Sequence, residues 1–248
     1  VFGEELRRIG YEGPEEPGFL PARAYLELHI EQGPVLDREG GGIGAVTGVQ
    51  GITWLELTFS GEPNHGGTTP MKYRRDAGLV AARVNVFAHE VTQRIEGQLA
   101  NMGVIRVAPG NVNVVPETVI ATLDLRNPAD GRLAAAEAEI VAFAREAAAR
   151  ADVGLAVRDL ARFPATPFAE AMISRVEGAA RALGLPVRRM ISGAGHDAQM
   201  MARLCPTGMI FVPSRGGLSH NPKEVTADAD LIAGADVLLR AAWDLADS

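Results

Sequence analysis

The sequence predicts an α/β fold in which a partial α/β domain is interrupted by a ferredoxin-like βαββαβ unit. Three observations carry this expectation. Strand-forming runs at residues 52–60, 102–108, 118–126 and 154–160 enclose two amphipathic helices in the order βαββαβ, which builds a four-stranded antiparallel sheet with both helices on one face. After Phe163 short strands and helices alternate again, the order of an α/β layer. Glycines near Gly48 and the restart past Phe163 separate the pieces, giving expected segments 1-48, 49-163 and 164-248.

Residues 1–9 look helical and are followed by a turn-rich connector, 10–21, containing Gly10, Gly13, Pro14, Pro17, Gly18 and Pro21. Residues 24–31 alternate as a strand does. Leu26, Leu28 and Ile30 share one face, and Tyr25, Glu27, His29 and Glu31 the other. Gly44, Gly48 and Gly51 are expected to mark turns before the strand at 52–60, where Leu55, Leu57 and Phe59 oppose Trp54, Glu56 and Thr58. Thr69-Pro70 has the form of a helix start, a hydroxyl cap with proline at the first helical position. Ala77, Val80, Val84, Phe87 and Val91 then recur at helical spacing until Gly97. Strands 102–108 and 118–126 join through a turn at 109–116, and an alanine-rich amphipathic helix covers 130–151. Thr166-Pro167 repeats the cap-and-proline form before a helix to Leu183. Strands at 187–191 and 208–212 flank a helix at 197–204, and Thr226 is expected to cap the last helix.

Composition excludes several function classes. With 24 Lys+Arg against 31 Asp+Glu, a net charge of −7 opposes binding to a phosphate backbone, so no nucleic-acid partner is expected. Cys205, the single cysteine, excludes an internal disulfide and a cysteine zinc cage, and suits a reducing, cytoplasmic setting. No apolar run approaches the roughly 20 residues that span a bilayer, so no membrane partner is expected either.

None of the five histidines forms the close helical pair of a zinc motif. His29 stands between Glu27 and Glu31 on a polar strand face, which suits a divalent metal and equally suits a half-exposed strand histidine. His220 lies in a glycine-rich loop after an apolar strand, a usual location for a site and also for a plain turn. Gly193-Ala194-Gly195-His196-Asp197 precedes a helix start, where exposed N–H groups receive an oxyanion or Asp197 simply caps the helix. His65 precedes the Thr69-Pro70 start, placed to donate to an oxyanion or to close a β-to-α turn. Arg126, with Asn113, suits a carboxylate clamp or an ordinary surface charge. His89 reads as a solvated helix residue, and Cys205 as buried.

Four stretches together resemble a known family. They are Glu27-Leu28-His29-Ile30-Glu31-Gln32-Gly33-Pro34; Asn64-His65-Gly66-Gly67-Thr68-Thr69-Pro70-Met71 with Arg74-Arg75-Asp76; Asn111-Val112-Asn113-Val114-Val115-Pro116 with Asp124-Leu125-Arg126; and Ser192-Gly193-Ala194-Gly195-His196-Asp197 with Ser219-His220-Asn221-Pro222. In order and spacing they resemble the zinc-dependent amidohydrolases comprising N-carbamoyl-L-amino-acid hydrolase, allantoate amidohydrolase and β-ureidopropionase, relatives of the M20 metallopeptidases. The resemblance implies that His29 and His220 are metal ligands and that Gln32 touches substrate beside them. It implies that His65 polarises the scissile carbonyl from the partner subunit of a dimer. Asn113 and Arg126 would bind the substrate carboxylate, with Gly193, Gly195 and His196 in the pocket wall.

The same resemblance makes 1-48 and 164-248 two parts of a catalytic domain and 49-163 a lid and dimerisation domain. In the family two divalent metal ions, zinc or manganese, lower the pKa of a bridging water. A glutamate takes its proton, and the hydroxide attacks a ureido or amide carbonyl. The expected substrate is an N-carbamoyl amino acid or an allantoate-like molecule; a β-ureido acid, a peptide bond, or a non-catalytic carboxylate-binding module are the alternatives. The family's His-x-Asp motif and Glu-Glu pair, which supply the bridging carboxylate and the base, have no counterpart here, and the chain opens on Val1. A truncated chain, inactive alone, is therefore expected.

Overall fold

The computed structural model describes residues 1–16, 18–19 and 21–247; Pro17 and Leu20 of the expected connector, and Ser248, lie outside the described residues. In chain order the first elements are α1 (Phe2–Arg8), β1 (Tyr25–Ile30), α2 (Val35–Arg38), β2 (Ile43–Val49), β3 (Gly51–Ser60), a 3₁₀ turn at Met71–Tyr73 and α3 (Ala77–Arg94). Then come β4 (Leu99–Asn101), β5 (Ile105–Ala108), β6 (Thr118–Asn127), α4 (Asp130–Arg150) and β7 (Gly154–Phe163). The chain ends with β8 (Thr166–Pro167), α5 (Glu170–Ala182), β9 (Val187–Ser192), α6 (Asp197–Met201), β10 (Thr207–Val212), a 3₁₀ turn at Arg215–Gly217 and α7 (Asp228–Ala246). Two compact units result. One comprises Val1–Ala45, Phe168–Arg188 and His196–Ser248, and the other Val46–Pro167 and Arg189–Gly195.

The second unit has the helices and flanking strands expected from the sequence, but the single strand expected at 102–108 is replaced by two short ones, β4 and β5, with residues 102–104 between them, so the order is βαβββαβ and the sheet has five strands. Its sheet runs β4-β6-β3-β7 with β5 also on β6, and every pairing is antiparallel. Alternation on β3 sends Leu55, Leu57 and Phe59 into a core completed by Val80, Val84 and Val91 of α3 and Leu133, Ile140 and Ala144 of α4. Each such large side chain fully buried contributes about 1.5–3 kcal/mol. In the first unit β1 lies parallel to β10, with His29 opposite Phe211, and β10 is buried along its whole length. A strand buried on both faces carries a continuous apolar run, as Met209-Ile210-Phe211-Val212 does.

Four local expectations are corrected. Thr69-Pro70 does not start α3: Glu62 N–H donates to the Arg75 carbonyl at 2.9 Å and Arg74 is extended, so the helix begins only at Ala77. Asp76 is its cap, accepting the Leu79 N–H at 3.0 Å. Thr166-Pro167 is extended rather than helical, because it pairs with Val49 and Gly48. Thr226 does not cap α7; its hydroxyl donates to the Pro213 carbonyl at 2.9 Å, and Ala227 occupies the cap position ahead of Asp228 and Asp230. Gly44 and Gly48 lie inside β2 instead of marking turns. A Cβ at Gly48 would stand 2.6 Å from the Thr166 carbonyl oxygen, a close approach between strands that only glycine permits.

Candidate functional site

Parallel pairing of β1 and β10 brings together the segments that leave their carboxyl ends, residues 31–37 and 213–220. His29 sits near the end of β1. Its Nδ1 is 2.8 Å from the Ile30 carbonyl oxygen; donating there leaves the Nε2 lone pair to act as a ligand. The His196 ring lies edge-on to His29, with centroids 4.6 Å apart, and also meets Phe211 at 5.6 Å. Only 2% of the His196 side chain is exposed. Burial, with the neighbouring His29, pushes its pKa down to about 4 against the opposing pull of Asp197, so the ring is neutral at pH 7.

Glu27 organises this corner. Its Oε2 accepts the Ala198 N–H at 2.7 Å and the Tyr25 hydroxyl at 3.2 Å, while Oε1 is 3.7 Å from His196 Nδ1. The carboxylate therefore serves the amino end of α6, a role the sequence reading gave to Asp197. Burial and Glu27 together raise the Tyr25 hydroxyl to about 12. Glu31 is also committed: its two oxygens accept the Val35 and Leu36 N–H groups at 2.8 and 2.7 Å, so it opens α2 and does not join His29.

Gln32 and His220 are two of the three non-glycine residues with positive φ among the described residues, at 57° and 54°. Gln32 donates its N–H to Ser214 Oγ at 2.9 Å and its Nε2 to Ser219 Oγ at 3.1 Å. His220 is exposed, and its own N–H donates to Glu224 Oε2 at 3.0 Å. Among the described residues no group of three or more His, Cys, Asp and Glu side chains is placed to hold a metal ion.

In the second unit, His65 bridges to Val114, and the Gly66 N–H donates to the Asn113 carbonyl at 2.6 Å, so the His65 and Asn113 turns are joined. The Nδ1 of His65 accepts N–H bonds from Gly67 at 3.0 Å and Thr68 at 3.2 Å. Its proton is thereby assigned to Nε2, which is left to donate outward. Arg126 is engaged from within: Nε and Nη2 hold Asp124 at 3.0 and 2.7 Å, and Nη1 donates to the Gly193 carbonyl. Gly195 lies two residues beyond Gly193 and precedes His196.

In the first unit His29 meets His196 and Gln32 reaches Ser219, next to His220, while in the second the His65 turn is joined to Asn113 and Arg126 to Gly193. Tyr25, Asp37, Asp124, Ser214 and Ser219 were given no individual role from the sequence. Asp124 was findable, since residues two apart on a strand share a face. His89 is exposed on α3 and Cys205 is buried, as expected. No helix among the described residues is long and apolar enough to cross a membrane.

Residues 4–244 match the profile described as "Peptidase family M20/M25/M40". An N-carbamoyl-L-amino-acid amidohydrolase of Rhizobium meliloti is 40% identical over 99% of this chain and 59% of its own length. An allantoate amidohydrolase of Escherichia coli is 34% identical over 99% of this chain and 60% of its own. A crystal structure of an amidase of the hydantoinase/carbamoylase family from Burkholderia multivorans superposes with a TM-score of 0.90 at 41% identity, over 97% of this chain and 59% of that one. The chain spans about three-fifths of the length of the curated relatives it matches. With the profile covering nearly all of it, the chain belongs to peptidase family M20/M25/M40.

Proposed function

We propose that this chain is part of a metal-dependent amidohydrolase that cleaves the ureido C–N bond of N-carbamoyl-L-amino acids. Support comes from the relative of that name at 40% identity, and most directly from the histidine tautomers. His29, with Nδ1 bonded to a carbonyl, offers Nε2 as a ligand, whereas His65, with Nδ1 accepting two N–H bonds, offers a proton. One histidine suits a cation and the other a developing oxyanion.

In this reading His29 and His220 hold a divalent metal, zinc or manganese, which when bound polarises the carbonyl and acidifies water. Imidazole nitrogen suits zinc, whereas manganese prefers oxygen donors. His65 donates its Nε2 proton to the carbonyl oxygen, acting across a homodimer formed through the lid at 49-163. Asn113 and Arg126 bind the substrate carboxylate; Asp124 fixes the guanidinium plane before substrate arrives, leaving two of its N–H groups for the ligand. Gln32, Gly193, Gly195 and His196 line the substrate, with His196 neutral so that it does not repel the metal. Segments 1-48 and 164-248 form the catalytic domain, and the setting is cytoplasmic. An allantoate substrate is the second reading, favoured by the 34% identical relative of that activity.

Two imidazoles without a bridging carboxylate hold a metal pair poorly, so these 248 residues alone are expected to bind substrate without turning it over. Calorimetric titration with N-carbamoyl-L-amino acids and allantoate tests the reading. The preferred ligand should lose about tenfold or more in affinity on Arg126→Ala, as befits a charge-assisted bond. Equal binding of a ligand without its carboxylate would overturn the clamp, and chelator-sensitive hydrolysis by these residues would overturn the incomplete donor set.

A further inference from the structure

The segment after His29 and the loop carrying His220 are bound to one another by a set of specific contacts. Gln32 gives its N–H to Ser214, which is fully buried, and its Nε2 to Ser219. The Gly216 N–H donates to Asp37 Oδ2 at 3.0 Å. Gly217, at φ 67°, lies against Pro34 so closely that a Cβ there would stand 2.7 Å from the Pro34 nitrogen and Cα. On its far side the loop is held by Arg215 N–H on the Val225 carbonyl at 3.0 Å and by the Thr226 hydroxyl on Pro213. Three residues along 32–37 thus meet four along 214–219, immediately before His220.

We propose that residues 32–37 form a clamp that fixes the loop bearing His220 relative to His29, with Asp37 and Ser214 as positioning residues. The clamp rests on the metal-binding reading of His29 and His220. Its physical logic is entropic. A glycine-rich loop with Gly216 and Gly217 loses much freedom when its histidine takes up a ligand, and hydrogen bonds made beforehand remove that loss from the binding step. Asp37 does this through a backbone N–H one turn from His220, and Ser214 through the N–H of a left-handed Gln32 three residues from His29.

The test uses the 248-residue chain with isotope-labelled histidine rings, titrated with Mn²⁺ alone. In the unsubstituted chain the His29 and His220 ring signals should broaden together, while the exposed His89 stays sharp. In Asp37→Ala, and more so in Ser214→Ala, His29 should still broaden and His220 should respond several-fold less. Hydrogen exchange at Gly216 should rise about tenfold, as for one lost hydrogen bond. Asp37→Asn keeps an acceptor oxygen and should restore both readouts to within about twofold of the unsubstituted chain. His220 broadening in step with His29 in both alanine variants would overturn the clamp alone. Failure of both rings to broaden in the unsubstituted chain would overturn the metal reading, and the clamp with it. Because Asp37 is exposed, its alanine variant keeps the test decisive should Ser214→Ala not fold.

Discussion

The two units are held together differently. In the second, β3, β6, α3 and α4 close a core from side chains that each element presents at its own period, such as Leu55, Leu57 and Phe59 at every second position. In the first, the residues around His29 are fixed by single hydrogen bonds across long stretches of chain: Gln32 to Ser214, Glu27 to Ala198, Asp37 to Gly216. Its final helix leaves Ile232, Leu239 and Trp243 exposed, and α1 buries nothing. A periodic core tolerates the loss of one polar contact, whereas a site tethered by a few depends on each one.

The largest effect should fall in the second unit. Phe59, fully buried, is expected to cost about 3–5 kcal/mol when cut to alanine, read as a lowered denaturant midpoint. In the first unit Glu27→Ala removes the acceptor of the Ala198 N–H and the Tyr25 hydroxyl, and should cost about 1–3 kcal/mol with faster hydrogen exchange at Ala198. If Glu27→Ala proved as harmless as a surface change, the contrast between tethered site and packed core would fail. A smaller difference separates two residues seven apart. Asp76→Ala should cost about 1 kcal/mol as a lost cap, and Thr69→Ala less than about 0.5 kcal/mol in the same denaturation assay.

These contrasts parallel what was legible in the sequence. The strands and helices of the second unit, save the break of one strand into β4 and β5, together with β1, β10 and the helical stripe of α3, followed from local periodicity, which physics imposes residue by residue. The start of α3 did not. Thr69-Pro70 carries a good local signal, yet it opens only the 3₁₀ turn at Met71–Tyr73, and the Glu62 to Arg75 pairing leaves Arg74 and Asp76 extended before α3 begins. For the same reason the polar face of β1 showed Glu27, His29 and Glu31 side by side, without showing that Glu27 serves α6 and Glu31 serves α2. Partners 171 residues apart leave no periodic trace.

A pH dependence is expected as well. His196 has its pKa lowered from 6.5 to about 4 by burial, so between those values the unfolded chain binds the proton more readily than the folded one. Stability from this residue is fully present above pH 6.5 and is lost as pH falls toward 4. Denaturant midpoints of the metal-free chain should decline across that window, and less steeply in His196→Gln.

Metal stoichiometry decides whether His29 and His220 form the donor set. Equilibrium dialysis against Zn²⁺ or Mn²⁺, with the unsubstituted chain beside His29→Ala and His220→Ala, counts the ions these residues hold and identifies their ligands. The expected result is weak uptake short of two full sites per chain, lowered by either substitution. Two tight sites per chain, or uptake indifferent to both histidines, would contradict a donor set built from His29 and His220 without a bridging carboxylate.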